Sequence, residues 1–169
     1  MPRIHSFAPL VGPGARILIL GSMPGEASLR AGQYYAHPRN LFWRVMGEHC
    51  GAGPDLPYPE RCARLLAHGI ALWDVLGSCE RPGSLDAAIE RESVITNDFV
   101  HFFRTWPEIQ RLLFNGSMAE SSFRRHVQPE LHAAGLPARP TTRLPSTSPA
   151  HAAVSWADKL AAWQLALAA

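Results

Sequence analysis

The segment that most constrains this chain runs from Ile17 to Gly47, ILILGSMPGEASLRAGQYYAHPRNLFWRVMG. An apolar run, Ile17–Leu20, breaks at Gly21-Ser22-Met23-Pro24-Gly25. A second block, Tyr34-Tyr35-Ala36-His37-Pro38-Arg39-Asn40, leads into the amphipathic Leu41-Phe42-Trp43-Arg44-Val45-Met46. This order predicts a strand buried on both faces, a small-residue loop at its carboxyl end, an aromatic and amide-bearing loop, then a helix. In an open α/β sheet, ligands sit in the loops at the carboxyl ends of the strands. The loop region within Ile17–Gly47 offers a flat ring, backbone N–H groups and neutral hydrogen-bonding side chains, with almost no carboxylate. Such a surface suits holding a flat heterocycle better than cutting an ester.

Beyond this segment the pattern alternates. Arg16–Gly21 reads as the first strand, and Asn40–His49 as a helix with Leu41, Phe42, Val45 and Met46 on one side. Gly and Pro mark Gly51–Pro57 as a loop, and Glu60–His68 reads as a helix stopped at Gly69. Ile70–Leu76 is a second strand. Leu85–Arg91 and Asn97–Trp106 read as short helices, the latter with Asn97 or Asp98 as N-cap. Gln110–Phe114 is a strand ending at Asn115-Gly116, Ser117–His126 a helix, and Thr141–Leu144 a last strand. Pro145–Pro149 forms a tight loop before a long helix, Ala150–Leu167. Strands alternating with helices predict an α/β fold, a parallel sheet with helices on both faces, in one domain over 1–169. Three loops, Gly21–Gly25, Asn115-Gly116 and Ser146–Pro149, follow strands and so gather at one sheet edge.

Composition bounds the rest. With 169 residues, 47% hydrophobic and 18% charged, the chain has the make-up of one compact soluble domain. No apolar run reaches the ~20 residues a bilayer span requires, and Met1–Leu10 lacks a signal peptide's basic-then-apolar order. Cys50, Cys62 and Cys79 are odd in number and lack a CxxC pair, so they read as reduced thiols of a cytoplasmic protein. Too few thiols are present for a structural zinc or an iron–sulfur cluster, and no metal site is expected. The net charge of +2 does not mark a nucleic-acid binder. Among the 16 basic residues the only lysine is Lys159. Arginine suits phosphate and stacking contacts, but a GC-rich genome also favours Arg and Ala codons. Composition permits DNA binding without arguing for it.

Several residues carry two readings. Pro38 restrains His37 to an extended conformation and stiffens the loop beside the first strand. Tyr35 on that loop suits stacking on a flat base, worth roughly 1–3 kcal/mol, and equally suits a core position. Asn40 stands at an N-cap site, yet its amide can also hold and orient a water without carrying charge. Asn115 offers a donor and an acceptor that match a nucleobase edge, while Asn-Gly is also a favoured turn pair. Ser146, Thr147, Ser148 and Pro149 precede a helix whose free N–H groups suit a phosphate. Ser148 with Pro149 at the first helical position is also simply a good helix start. His151, in the first turn, reads as incidental.

A hydrolase built on Ser22, one of the eight histidines and an acid is a rival reading. Gly21-Ser22-Met23-Pro24-Gly25 departs from the G-x-S-x-G elbow, since Ser22 directly follows the first glycine and a proline occupies the turn. A Walker loop fails too, because no Gly-Lys-Ser/Thr follows.

Together, Gly21–Gly25, Tyr34–Asn40 with Phe42-Trp43, Phe114-Asn115-Gly116-Ser117 and Leu144–Pro149 resemble the uracil-DNA glycosylase superfamily. They are most similar to its hypoxanthine (deoxyinosine) DNA glycosylase branch, with the mismatch-specific uracil glycosylases as near relatives. The block from tyrosine to tryptophan is the most specific. The resemblance implies a three-layer α/β fold, a four-stranded parallel sheet flanked by helices, with no metal or cofactor. It implies DNA as the partner and a damaged base flipped out of the duplex. Met23 stands where the mismatch-specific relatives have a water-holding asparagine, which shifts the catalytic expectation to Asn40. Tyr35 matches the aromatic that stacks on the flipped base, in a base pocket taking in Gly21, Ser22, Met23, Pro24 and His37. Asn115 matches the residue that bonds the base edge. Ser146, Thr147, Ser148, Pro149 and the adjoining His151 match the segment that pinches phosphate and enters the minor groove.

Cleaving an N-glycosidic bond puts positive charge on the sugar and negative charge on the departing base. Oriented N–H dipoles stabilise the leaving anion, and a positioned water captures the sugar. No lysine is needed. With Lys159 far along the last helix, the expectation is a monomeric, monofunctional hydrolase that initiates base excision repair, favouring hypoxanthine over uracil. The alternative is a DNA- or nucleotide-binding module that kept this shape and lost catalysis.

Overall fold

A computed structural model describes residues 2–169; Met1, the first residue of the stretch read for a leader, lies outside the described residues. The chain begins with β1 (Arg3–His5), β2 (Ile17–Gly21), α1 (Glu26–Ala31), α2 (Phe42–Cys50) and α3 (Tyr58–Ala67). It continues through β3 (Ile70–Asp74), β4 (Leu76–Glu80), β5 (Ile95–Thr96), α4 (Phe99–Thr105) and β6 (Arg111–Asn115). α5 (Ser117–Ser122), α6 (Gln128–Ala133), β7 (Thr141–Leu144) and α7 (Trp156–Ala168) complete it. Four parallel strands in the order β3-β2-β6-β7 form the main sheet, as the alternating pattern and the resemblance both predict.

Every residue of β2 and β3 is buried, which explains their unbroken apolar character. Side chains alternate across a strand, so β2 feeds two cores at once. Ile17 and Ile19 pack with Phe42, Val45, Met46 and Trp163 on one face. Leu18 and Leu20 pack with Phe99, Phe103, Phe114 and Phe123 on the other. Burying each such side chain contributes roughly 1.5–3 kcal/mol. Two apolar faces with helices on each give the three layers. No helix among the described residues is long and apolar enough to cross a membrane.

Several expected boundaries move. The expected strand Ile70–Leu76 is two strands. β3 stops at Asp74, the Val75 and Leu76 amides donate to the Gly21 and Ser22 carbonyls at 2.8 and 3.1 Å, and β4 turns away. β4 then joins β1 and β5 in a small antiparallel sheet that the sequence did not suggest. α1 replaces part of an expected loop, with Glu26 in its first turn and Gly32 closing it at φ 64°. α2 begins two residues later than the expected Asn40. Leu85–Arg91 resolves into 3₁₀ turns at Asp86–Ala88 and Arg91–Ser93. The helix from Ser117 passes at Ser122 into a π-helical turn, Phe123–Val127, and then α6.

The last helix differs most. It starts at Trp156 instead of Ala150, capped by Ser155, whose hydroxyl accepts from the Asp158 amide at 3.2 Å. Residues 150–155 form no regular element. Ser146–Pro149 therefore does not stand at a helix N-terminus, contrary to expectation, and no helix dipole is aimed at a phosphate there.

Candidate active site

All four strands of the main sheet end at one cleft of about 700 Å³, with Gly21, Asp74, Asn115 and Leu144 in its wall. That size suits a small-molecule pocket. The cleft also collects Ser22, Met23, Pro24, Tyr35, His37, Asn40, Ser146–Pro149 and His151, so every expected site residue reaches one place.

Tyr35 is held there by an unusual backbone. Its φ of 55° is the only positive value at a non-glycine among the described residues, a conformation costing roughly 1–2 kcal/mol. Neighbouring bonds fix the loop. The Ala36 amide donates to the Ser28 hydroxyl at 3.0 Å, and the Tyr34 amide to the Tyr58 hydroxyl at 3.0 Å. The Trp43 indole N–H holds the Tyr34 carbonyl at 2.9 Å. The Tyr35 ring stacks on Phe42, centroids 4.1 Å apart and planes 22° from parallel. A half-buried ring backed in this way lines the cleft. Its hydroxyl is buried without a hydrogen-bond partner. Burial, and then the charge of Asp74, push that hydroxyl far above the usual tyrosine range, with Asn115 offsetting a little.

Asn40 lies just before Leu41, the N-cap of α2, and bonds the helix's first amide. Its Oδ1 accepts from the Phe42 amide at 3.0 Å, and the residue lines the cleft, its amide nitrogen without a hydrogen-bond partner among the described residues. Asn115 is held more firmly. Its Nδ2 donates to Thr147 Oγ1 at 2.9 Å, and its Oδ1 accepts from the Thr147 amide at 3.0 Å. The Leu41 amide in turn donates to the Thr147 carbonyl at 3.0 Å. Thr147, only 1% exposed, thus ties the strand end at Asn115 to the loop that carries Asn40. Thr147, expected among the DNA contacts, turns its polar atoms to Asn115 and Leu41.

Beyond the Ile17–Gly47 region, where Glu26 is the only acid, two aspartates from elsewhere in the chain reach the cleft. Asp74 and Asp86 both line the cleft. Ser22 Oγ donates to Asp86 Oδ1 at 2.6 Å. Burial pushes Asp86 up, partly offset by that bond and by Arg81. Asp74 is 4% exposed, and its Oδ2 is buried with no hydrogen-bond partner. Burial and then the charge of Asp86 push it up to about 7, against a downward pull from Arg81. Arg81 itself donates to the Pro24 and Gly83 carbonyls at 2.7 and 2.8 Å, pinning the first loop. Gly21 makes room for this arrangement. A Cβ there would meet Asp74 Oδ1 at 2.5 Å and the Tyr35 hydroxyl at 3.1 Å.

These contacts bear on the rival hydrolase. Ser22 bonds to an acid directly, and among the described residues no histidine hydrogen-bonds it. His37 instead accepts from the Arg39 amide through Nδ1 at 3.0 Å. A serine nucleophile needs a base between itself and the acid, and that relay is missing.

In the last loop, Ser146 Oγ accepts from the Ser148 amide at 3.1 Å and Ser148 Oγ from the Ala150 amide at 3.2 Å. Each hydroxyl keeps its own hydrogen to donate. His151 Nδ1 is buried and unpartnered. Lys159 is not far along the last helix as expected. It sits in the first turn, 2% exposed, with Nζ donating to the His151 carbonyl, and burial lowers its pKa. Cys50, Cys62 and Cys79 are free thiols. Among the described residues, no three His, Cys, Asp or Glu side chains cluster as metal ligands.

The profile of the Uracil DNA glycosylase superfamily matches residues 8–168. A protein of Methanosarcina barkeri (strain Fusaro / DSM 804) named hypoxanthine DNA glycosylase is 39% identical over 113 residues, 66% of this chain and 70% of its own. One of the same name from Methanosarcina acetivorans is 36% identical over 116 residues, 68% of this chain and 72% of its own. A Methanosarcina acetivorans protein solved by NMR, and assigned to the uracil DNA glycosylases, superposes with a TM-score of 0.78 at 32% identity. That match covers 98% of this chain and 97% of the other.

Proposed function

The chain belongs to the Uracil DNA glycosylase superfamily, and from that premise we propose that it hydrolyses the N-glycosidic bond of a deaminated base in DNA, hypoxanthine first and uracil second. The observation that carries this reading is the convergence of a backed aromatic ring, a clamped amide and a second amide at the sheet's carboxyl edge. Tyr35 offers a ring face to a flipped base. Asn115, its orientation fixed by Thr147, offers its remaining N–H and lone pair to the base edge. Asn40 holds the attacking water or the base. A fixed dipole costs no reorganisation when charge develops, which is what the departing base requires.

The rest of the cleft fits a DNA substrate. Ser146 and Ser148 keep donors for phosphate oxygens, and Pro149 is exposed, rigid and apolar beside them. Arg143 lines the cleft too, 59% exposed and 3.7 Å from Glu120. Flipping a base costs a few kcal/mol of pairing and stacking, which such contacts offset. Lys159 Nζ is occupied and buried, which favours a monofunctional hydrolase over a lyase. The enzyme acts as a monomer inside the cell, with residues 1–169 as one catalytic unit, at the first step of base excision repair.

Incubation with duplexes carrying one deoxyinosine or one deoxyuridine, followed by alkaline strand scission, tests this. Scission at the modified position is the expected result. Tight binding to such duplexes without scission would support the alternative, a binding module of the same fold.

A further inference from the structure

Asp74 ends β3 opposite Gly21, its register partner at the end of β2. It is buried, lines the cleft, and finds no hydrogen-bond partner for Oδ2. The Tyr35 hydroxyl, also buried and unpartnered, lies against the same spot over Gly21. The cleft wall thus carries a buried carboxyl oxygen that the protein leaves unpaired, beside a buried tyrosine hydroxyl near Asn115. Such atoms are costly to leave unmade, and within a binding cleft they mark where a ligand's polar atoms go.

The surroundings decide which form the carboxyl takes. Facing it are Asp86 from the 3₁₀ turn, Arg81 beyond β4, and Tyr34 and Tyr35 from the loop before α2. Arg81 has its guanidinium tied to two carbonyls, and the neighbouring carboxyl of Asp86 repels a second negative charge. Burial does the most, and pushes the carboxyl up to about 7. Near neutral pH burial therefore favours the protonated carboxylic acid, a donor, in the cleft wall.

We propose that Asp74 is a general acid for purine release: its carboxyl gives a proton to a ring nitrogen of the departing hypoxanthine. The proposal rests on the base-excision reading above. In the step, the bond from C1′ to N9 breaks and its electron pair leaves with the base. The Asp74 proton moves to N7 or N3 of the purine, so that a neutral base departs. Water adds its oxygen to C1′, and the proton it sheds returns to the Asp74 carboxylate through solvent. One water is consumed; a free base and an abasic sugar are formed. Uracil has no second basic ring nitrogen, so Asp74 assists it little.

The test is single-turnover base release between about pH 5 and 9, for the wild type and Asp74→Asn, on duplexes with deoxyinosine, its 7-deaza and 3-deaza analogues, and deoxyuridine. Wild-type hypoxanthine release should fall as pH rises through about 7. Asp74→Asn should slow it by ~100-fold and flatten the profile, a size typical of lost acid catalysis. Uracil release should change by no more than a few-fold. On the analogue lacking the accepting nitrogen, wild type and variant should be equally slow. Hypoxanthine release that rises with pH through this range, or an equal loss on both bases, overturns the proposal. The wild-type profile stands even if the variant folds poorly. Failure of the wild type to release any base from any duplex overturns the glycosylase reading itself.

Discussion

Asn115 and Thr147 grip each other through both ends of the amide, Nδ2 to Oγ1 at 2.9 Å and the backbone N–H of Thr147 to Oδ1 at 3.0 Å. An isolated asparagine flips its amide freely; this one has its donor and acceptor sides assigned by a buried neighbour. A side chain that reads a base edge needs that assignment, because a reversed amide offers the wrong group.

Thr147→Val keeps the size and the backbone bond but removes Oγ1. Loss of one buried hydrogen-bond partner should cost roughly 1–3 kcal/mol of stability. It should also narrow the difference between hypoxanthine and uracil release, while Thr147→Ser restores both. Denaturant melts and the two release rates are the measurements; unchanged discrimination in the valine variant would confine Thr147 to stability.

Gly21→Ala should disturb Asp74 and Tyr35 together, since the new methyl would fall 2.5 Å from Asp74 Oδ1 and 3.1 Å from the Tyr35 hydroxyl. Overpacking of this kind typically costs about 1–3 kcal/mol. Base release should fall by ~10-fold or more, as expected when a catalytic group is displaced by an ångström. A fully active alanine variant would show that neither polar group must hold its place.

Asp74 also makes stability depend on pH. Its carboxyl ionises near 3.8 when exposed and at about 7 when folded. Between those values the unfolded chain has lost the proton while the folded protein keeps it, so stability falls as pH rises. The contribution is complete below about pH 4 and gone above about pH 7. Asp86, also raised, pushes in the same direction. The stability of the wild type minus that of Asp74→Asn isolates the Asp74 share. That difference should decline across this window in urea melts; a flat difference would mean that Asp74 is not held protonated by the fold.

Asn40→Ala separates capping from chemistry. Losing the cap to the Phe42 amide should cost ~1 kcal/mol. If the free part of the amide positions water or base, single-turnover release should drop by ~100-fold, with affinity for the duplex nearly intact. Asn40→Asp, which keeps a capping oxygen, should recover the stability and separate the two effects. A stability loss alone would leave Asn40 as a cap.

Much of this site was legible in the order of residues. The apolar run before Gly21, the strand end at Asn115 and the loop after Leu144 are local signals, and all three meet at one edge. The aromatic block from Tyr34 to Trp43 was visible for the same reason. Asp74 was not. Val75 and Leu76 continue the apolar run, so IALWDVL reads as one strand with a charge inside it. Only pairing with the Gly21 and Ser22 carbonyls, distant in sequence, ends β3 at the aspartate. Asp86 was hidden in a 3₁₀ turn that takes its importance from Ser22. The late start of α7 did carry a signal, since Ser155-Trp156-Ala157-Asp158 has a capping serine three residues before an acid. The alanine-rich run before it obscured that start.

The central claim is hydrolytic release of a deaminated base, and the most direct measurement is of the base and sugar themselves. Purified protein, a duplex with one deoxyinosine and ¹⁸O-labelled water, read by mass spectrometry, would report both products in one tube. The account predicts free hypoxanthine, an abasic strand left intact until alkali is added, and one ¹⁸O atom at C1′. No free hypoxanthine, with the nucleoside still in the strand after long incubation at enzyme excess, would contradict it.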